Sequence, residues 1–157
     1  MALEFSEEAR NELAEIKKRY PSAEGAILPC LYLAQREFGY ISLEAMQYVA
    51  EQIGVAPARI YGVATFYTMF NKEPVGKYLV QVCMNLPCML RGAGEVFDYI
   101  SEKLGVKAGE TTADGKFTLM KVECLGACGN APMMQINEDY YEDLTPEKVD
   151  RILDGLK

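Results

Sequence analysis

The chain has 157 residues, half of them hydrophobic, and its 23 acidic against 16 basic side chains give a net charge of -7. That balance argues against a nucleic-acid partner, which needs clustered Lys and Arg, and no apolar run approaches the roughly 20 residues that cross a bilayer. The absence of histidine rules out a Ser-His-Asp triad, a Cys-His pair, His-ligated zinc and a Rieske centre together.

The first ten residues carry Glu4, Glu7 and Glu8 and neither the basic start nor the apolar stretch of a secretory signal, so an intracellular chain without direct membrane insertion is expected. Residues 1–72 read as a helical region. Ser6 caps a first helix whose stripe is Ala9, Leu13, Ile16 and Tyr20, and Pro21 ends it. A second helix puts Ile27, Cys30, Leu31, Ala34 and Phe38 on one face and stops at Gly39; a third runs from Ser42 to Gly54. Pro57 opens a fourth, with Ile60, Val63, Tyr67 and Phe70 on its apolar side and Gly62 as a weak point.

Asn, Pro and Gly cluster over residues 71–76, and beyond them residues 73–157 read as a second, differently organised domain. Tyr78 to Val82 is a short run of β-formers that delivers Cys83 at its end. One helix is expected over residues 88–104, with Gly105 as its stop and the Gly-x-Gly of residues 92–94 buried inside it for close packing. Asp114-Gly115 marks a turn, and Phe117 to Glu123 is a strand that leads to Cys124. Residues 132–136 and 140–144 read as a hairpin, with Tyr140 and Tyr141 on opposite faces, and Thr145 and Pro146 open a last helix. The order β, α, β, β, β, α predicts a parallel pair joined to a hairpin, which is thioredoxin-like; with its helical N-terminal region the chain is α+β. Cys83 and Cys124 then leave adjacent parallel strands at one edge of the sheet, where α/β proteins place ligands.

Five cysteines without secretory context point to metal or redox chemistry before disulfides. Four of them form C-x4-C, Cys83 and Cys88, then after 35 residues C-x3-C, Cys124 and Cys128. Two facing thiolate pairs match the needs of one 2Fe-2S cluster. Gly126 and Gly129 allow the second loop to bend, and a helix starting at Cys88 would point its positive end at an anionic centre. A four-cysteine zinc site is the competing reading, although structural zinc favours C-x2-C knuckles. Cys30, alone on an apolar face, reads as core. Met84, Met89, Met133 and Met134 gather around the cysteine loops as core filling or as a docking surface.

Three segments carry a resemblance: residues 62–70 (Gly-Val-Ala-Thr-Phe-Tyr-Thr-Met-Phe), Cys83-x4-Cys88-Met-Leu-Arg-Gly92, and Cys124-Leu-Gly-Ala-Cys128-x-x-Ala-Pro-Met-Met-Gln-Ile-Asn137. Together they resemble the thioredoxin-like 2Fe-2S subunit of respiratory NADH:quinone oxidoreductase, bacterial complex I. The resemblance implies an electron-transfer subunit whose ligands are Cys83, Cys88, Cys124 and Cys128, docked on a partner that binds FMN and NADH. It also implies a peripheral position on the cytoplasmic side of the inner membrane, through the complex. The equivalent subunit of an NAD-linked hydrogenase or formate dehydrogenase is the alternative within the same chemistry.

Overall fold

The computed structural model describes residues 3–156, which divide into two compact units between Pro74 and Val75.

Four helices build the first unit. In α1 (Glu7–Arg19) the Ser6 hydroxyl accepts a bond from the Ala9 N–H at 3.1 Å. Glu7 and Glu8 lie in the first turn and Lys17, Lys18 and Arg19 in the last, matching charge to both ends of the helix dipole. Helix α2 (Ile27–Phe38) admits Pro29 in its first turn, where no helical N–H is needed, and stops at Gly39 with φ 83°. Helix α3 (Leu43–Ile53) repeats the design, with the Ser42 hydroxyl accepting from Ala45 N–H at 3.0 Å and a left-handed Gly54 at the end. Helix α4 (Pro57–Phe66) starts on its proline. Their apolar faces converge on Phe5, Leu31, Leu33, Ile41, Val49, Ile60 and Phe70, and Cys30 is fully buried among them.

The fourth helix is shorter than its sequence predicts. It ends at Phe66, and Tyr67 takes an extended backbone. Tertiary hydrogen bonds hold the chain beyond it: the Gln35 amide donates to the Met69 carbonyl at 3.1 Å and accepts from the Asn71 N–H at 2.7 Å. Phe70 therefore enters the core from a loop and meets Tyr32 edge-on at 5.2 Å, while Tyr67 is exposed.

The second unit comprises β1 (Tyr78–Cys83), α5 (Leu86–Leu90), α6 (Ala93–Leu104), β2 (Phe117–Val122), β3 (Met134–Ile136), β4 (Asp139–Tyr141) and α7 (Pro146–Gly155). The sheet order is β2-β1-β3-β4, with β1 and β2 parallel and the β3–β4 hairpin antiparallel to β1. This is the mixed, thioredoxin-like sheet expected from the order of elements, and the chain as a whole is α+β. Val80, Val82, Phe97, Ile100, Leu119, Met134, Val149 and Leu153 form its core. Across α6 and α7, Lys103 Nζ lies 2.8 Å from Asp150 and 2.9 Å from Asp154, and the Tyr99 hydroxyl donates to Asp150 at 2.8 Å.

The single helix expected over residues 88–104 is in fact two. The chain breaks at Arg91-Gly92, where Gly92 adopts φ 90°, a conformation that costs any residue with a Cβ roughly 1–2 kcal/mol. The Gly-x-Gly is thus a turn, not a packing device: a Cβ on Gly94 would meet only Met89 Cε, at an ordinary 3.7 Å. No helix among the described residues is long and apolar enough to cross a membrane.

Candidate metal centre

Cys83 is the last residue of β1 and Cys88 the third residue of α5, so the strand and the short helix between them fix the first cysteine pair. Asn85 caps α5 by accepting from the Leu86 N–H at 3.0 Å, and Pro87 suits its first turn. Both cysteines are buried, at 3% and 2% exposure. Burial, more than anything else, pushes the Cys88 thiol up to about 11; hydrogen bonding to Cys83 and the Cys83 charge add to this, a backbone bond at Met133 opposes it, and Cys128 contributes in the same upward direction.

The second pair has a different setting. Cys124 follows β2 by two residues, Cys128 opens a single 3-10 turn over Cys128–Asn130, and both are exposed. Gly126 turns the loop with φ 84°. Gly129, expected from sequence to need the same backbone freedom, is not among the left-handed glycines. In the parallel register Cys83 stands opposite Val122, so both cysteine loops leave the sheet at one rim. The loops are knitted there by Cys83 N–H to Met133 C=O at 3.2 Å and Met84 N–H to Val122 C=O at 2.8 Å. Leu125 and Ala127 of the second loop pack against the small buried cluster of Cys83, Cys88, Ala93, Ala131 and Met133.

Two side chains for which sequence reasoning found no role at the site tie down the second loop and the residues just after it. The Tyr140 hydroxyl donates to the Leu125 carbonyl, and Arg91 Nε donates to the Ala131 carbonyl, each at 2.7 Å. The expected helix dipole behind Cys88 is small, because α5 has only five residues and α6 begins beyond the break. Of the methionines near the rim, Met133 and Met134 are fully buried and serve the core, whereas Met89 is exposed beside Leu86 and Leu90 on α5. Ala131–Pro132 is a cis peptide. Cys30 belongs to the core of the helical unit.

A single ion and a diiron core ask different things of these donors. A tetrahedral thiolate site needs all its sulfurs about 2.3 Å from one metal. A diiron core needs instead one thiolate pair per iron. Cys83 and Cys88 would serve as one such pair and Cys124 and Cys128, on the loop that leaves the same rim, as the second, with no imidazole in the chain to compete. The residues present fit a 2Fe-2S group.

Comparison with known proteins agrees with that chemistry. A family model described as thioredoxin-like 2Fe-2S ferredoxin matches residues 13–157. One NADH-quinone oxidoreductase subunit of Rickettsia conorii is 51% identical over 98% of this chain and 93% of its own length. The mitochondrial NADH dehydrogenase (ubiquinone) flavoprotein 2 of Dictyostelium discoideum is 50% identical over 98% of this chain and 64% of its own. Among solved structures, an NAD+-reducing NiFe hydrogenase superposes with a TM-score of 0.74 at 20% identity, over 87% of this chain and 23% of that one, a likeness of fold. The chain belongs to the thioredoxin-like 2Fe-2S ferredoxin family, in the branch that holds these NADH-quinone oxidoreductase subunits.

Proposed function

We propose that Cys83, Cys88, Cys124 and Cys128 hold one 2Fe-2S cluster, and that the chain is the electron-transfer subunit of the NADH-oxidising module of an NADH-quinone oxidoreductase. In this reading it exchanges single electrons with FMN on a partner subunit that also binds NADH. The observation that supports the ligand assignment is that both cysteine loops leave the sheet at one rim, where Leu125 and Ala127 pack on the small buried cluster that contains Cys83 and Cys88. The subunit assignment rests on about half-identical relatives matched over nearly their whole length.

The cluster, when bound, supplies one-electron chemistry; the chain supplies position and surroundings. Cys83 and Cys88 offer donors from which water is excluded on the inner side. To serve as a ligand Cys88 would give up its proton, a cost that metal binding would offset. The exposed second loop leaves the other side of the centre open to a docked partner. The complex, rather than any spanning helix of this chain, would hold the subunit at the cytoplasmic face of the inner membrane.

Anaerobic purification with iron, sulfide and zinc analysis, followed by EPR after dithionite reduction, tests the ligand reading. Two irons and two sulfides per chain with a spin-half signal are expected; a colourless protein holding a single zinc would overturn it. Mixing with the flavin-bearing partner tests the electron route, since NADH should then develop the same EPR signal, and should fail to do so with this chain alone.

A further inference from the structure

The iron-sulfur reading leaves one structural question in this unit: what holds the exposed cysteine loop to the buried one. Regular structure does little of it, since residues 123–127 have no helix or strand and only a 3-10 turn follows. Two side chains of the first cysteine segment reach the second among the described residues. Asn85 approaches Glu123 at 3.5 Å, the outer limit of a hydrogen bond and in an exposed place. Arg91 reaches the carbonyl of the buried Ala131 at 2.7 Å, spanning the site from the residue that ends α5 to the residue that ends the second loop.

We infer that Arg91 is a positioning residue for the metal centre, tethering the end of the 3-10 turn that Cys128 opens, at Ala131, to the helix that carries Cys88 and placing a fixed positive charge beside that helix. This rests on the iron-sulfur reading. Local backbone makes the reach possible: the Arg91 N–H bonds to the Cys88 carbonyl at 3.1 Å, and Gly92, in its left-handed conformation, then turns the chain away into α6. Arg91 is consequently bound by its main chain to one ligand residue and by its side chain to the far end of the other loop.

Two effects follow. A guanidinium cannot lose its charge near neutral pH, and each electron added to an anionic cluster is favoured by a nearby cation, so Arg91 raises the reduction potential. Its Nε–H satisfies a carbonyl that the buried Ala131 cannot easily turn toward water, so it also slows escape of the second loop and of the metal it holds.

The experiment uses the full chain with its cluster, as wild type, Arg91→Met and Arg91→Lys. Iron and sulfide content, EPR line shape, the midpoint potential and the rate of iron loss to a chelator are read for each. Arg91→Met should lower the one-electron reduction equilibrium by about tenfold, about 59 mV, and speed iron loss several-fold. Arg91→Lys keeps the charge without the planar fork, so it should restore the potential while still losing iron faster than wild type. Wild-type potential together with wild-type iron loss in Arg91→Met overturns the inference. If that variant assembles no cluster, Arg91→Lys decides alone, and wild-type iron loss there overturns the tether. Failure of the iron-sulfur reading itself would show separately, as wild-type chain without two irons.

Discussion

The two cysteine loops leave the sheet at the same rim, yet they are built on different principles. Cys83 and Cys88 belong to a strand end and a capped helical turn, packed with Ala93, Ala131 and Met133. Cys124 and Cys128 lie on an exposed loop placed by the packing of Leu125 and Ala127 and by individual hydrogen bonds, from Tyr140 to Leu125 and from Arg91 to Ala131 just beyond it. One half of the proposed centre is therefore part of the protein's core, and the other lies on a loop held by local side-chain contacts. Damage to the first half should cost stability and metal together, and damage to the second should cost metal alone.

The largest effect should come from the cysteines themselves. Cys88→Ala and Cys124→Ala should each bleach the visible spectrum or shift it strongly. Only Cys88→Ala should also destabilise the metal-free chain, by about 1 kcal/mol for a buried heavy atom replaced by a small void. Thermal unfolding of both metal-free variants checks this, and equal losses of stability would erase the distinction between the pairs.

A smaller effect is expected at Gly126. A Cβ there meets nothing within 4 Å, but the backbone stands at φ 84°. Gly126→Ala should thus cost about 1–2 kcal/mol of left-handed strain in the loop conformation, relieved when the exposed loop lets go, and so read as a fivefold or greater gain in iron loss to a chelator. Tyr140→Phe removes only the hydroxyl bond to Leu125 and leaves the ring. At about 0.5–1 kcal/mol for one exposed hydrogen bond, it should accelerate iron loss two- to fivefold.

Why these residues were not evident from the sequence has a physical answer. Helix ends announce themselves locally, through Ser6, Ser42 and Thr145 as caps and Gly39, Gly54 and Gly105 as stops, because a cap and its N–H lie within three residues. The β-order followed from short β-rich runs around turn residues, and the parallel β1–β2 register brought the two cysteine loops to one edge. What local pattern could not show was any bond between distant residues. Gln35 holds the chain beyond α4 from more than thirty positions away, Arg91 reaches Ala131 across 40, and Tyr140 reaches Leu125 across 15. Gly92 misled for a related reason: a glycine within a helical pattern can serve close packing or positive φ, and only the backbone distinguishes them.

The fifth cysteine supplies the smallest effect on the metal centre and the sharpest contrast with the exposed pair. Cys30 is fully buried in the helical core, and burial pushes its thiol up to about 11, against a slight downward pull from Lys17. At pH 8 only about one part in a thousand of such a thiol is thiolate, so iodoacetamide should label Cys124 and Cys128 of the metal-free chain and reach Cys30 only after denaturation. Because the folded thiol holds its proton to higher pH than the unfolded one, the folded state binds more protons between about 9 and 11, and stability falls as pH rises through that window. Cys30→Ala should remove that part of the alkaline loss while leaving the visible spectrum of the holoprotein as it was. A changed spectrum would mean that the helical core, and not the rim of the sheet alone, contributes to the centre.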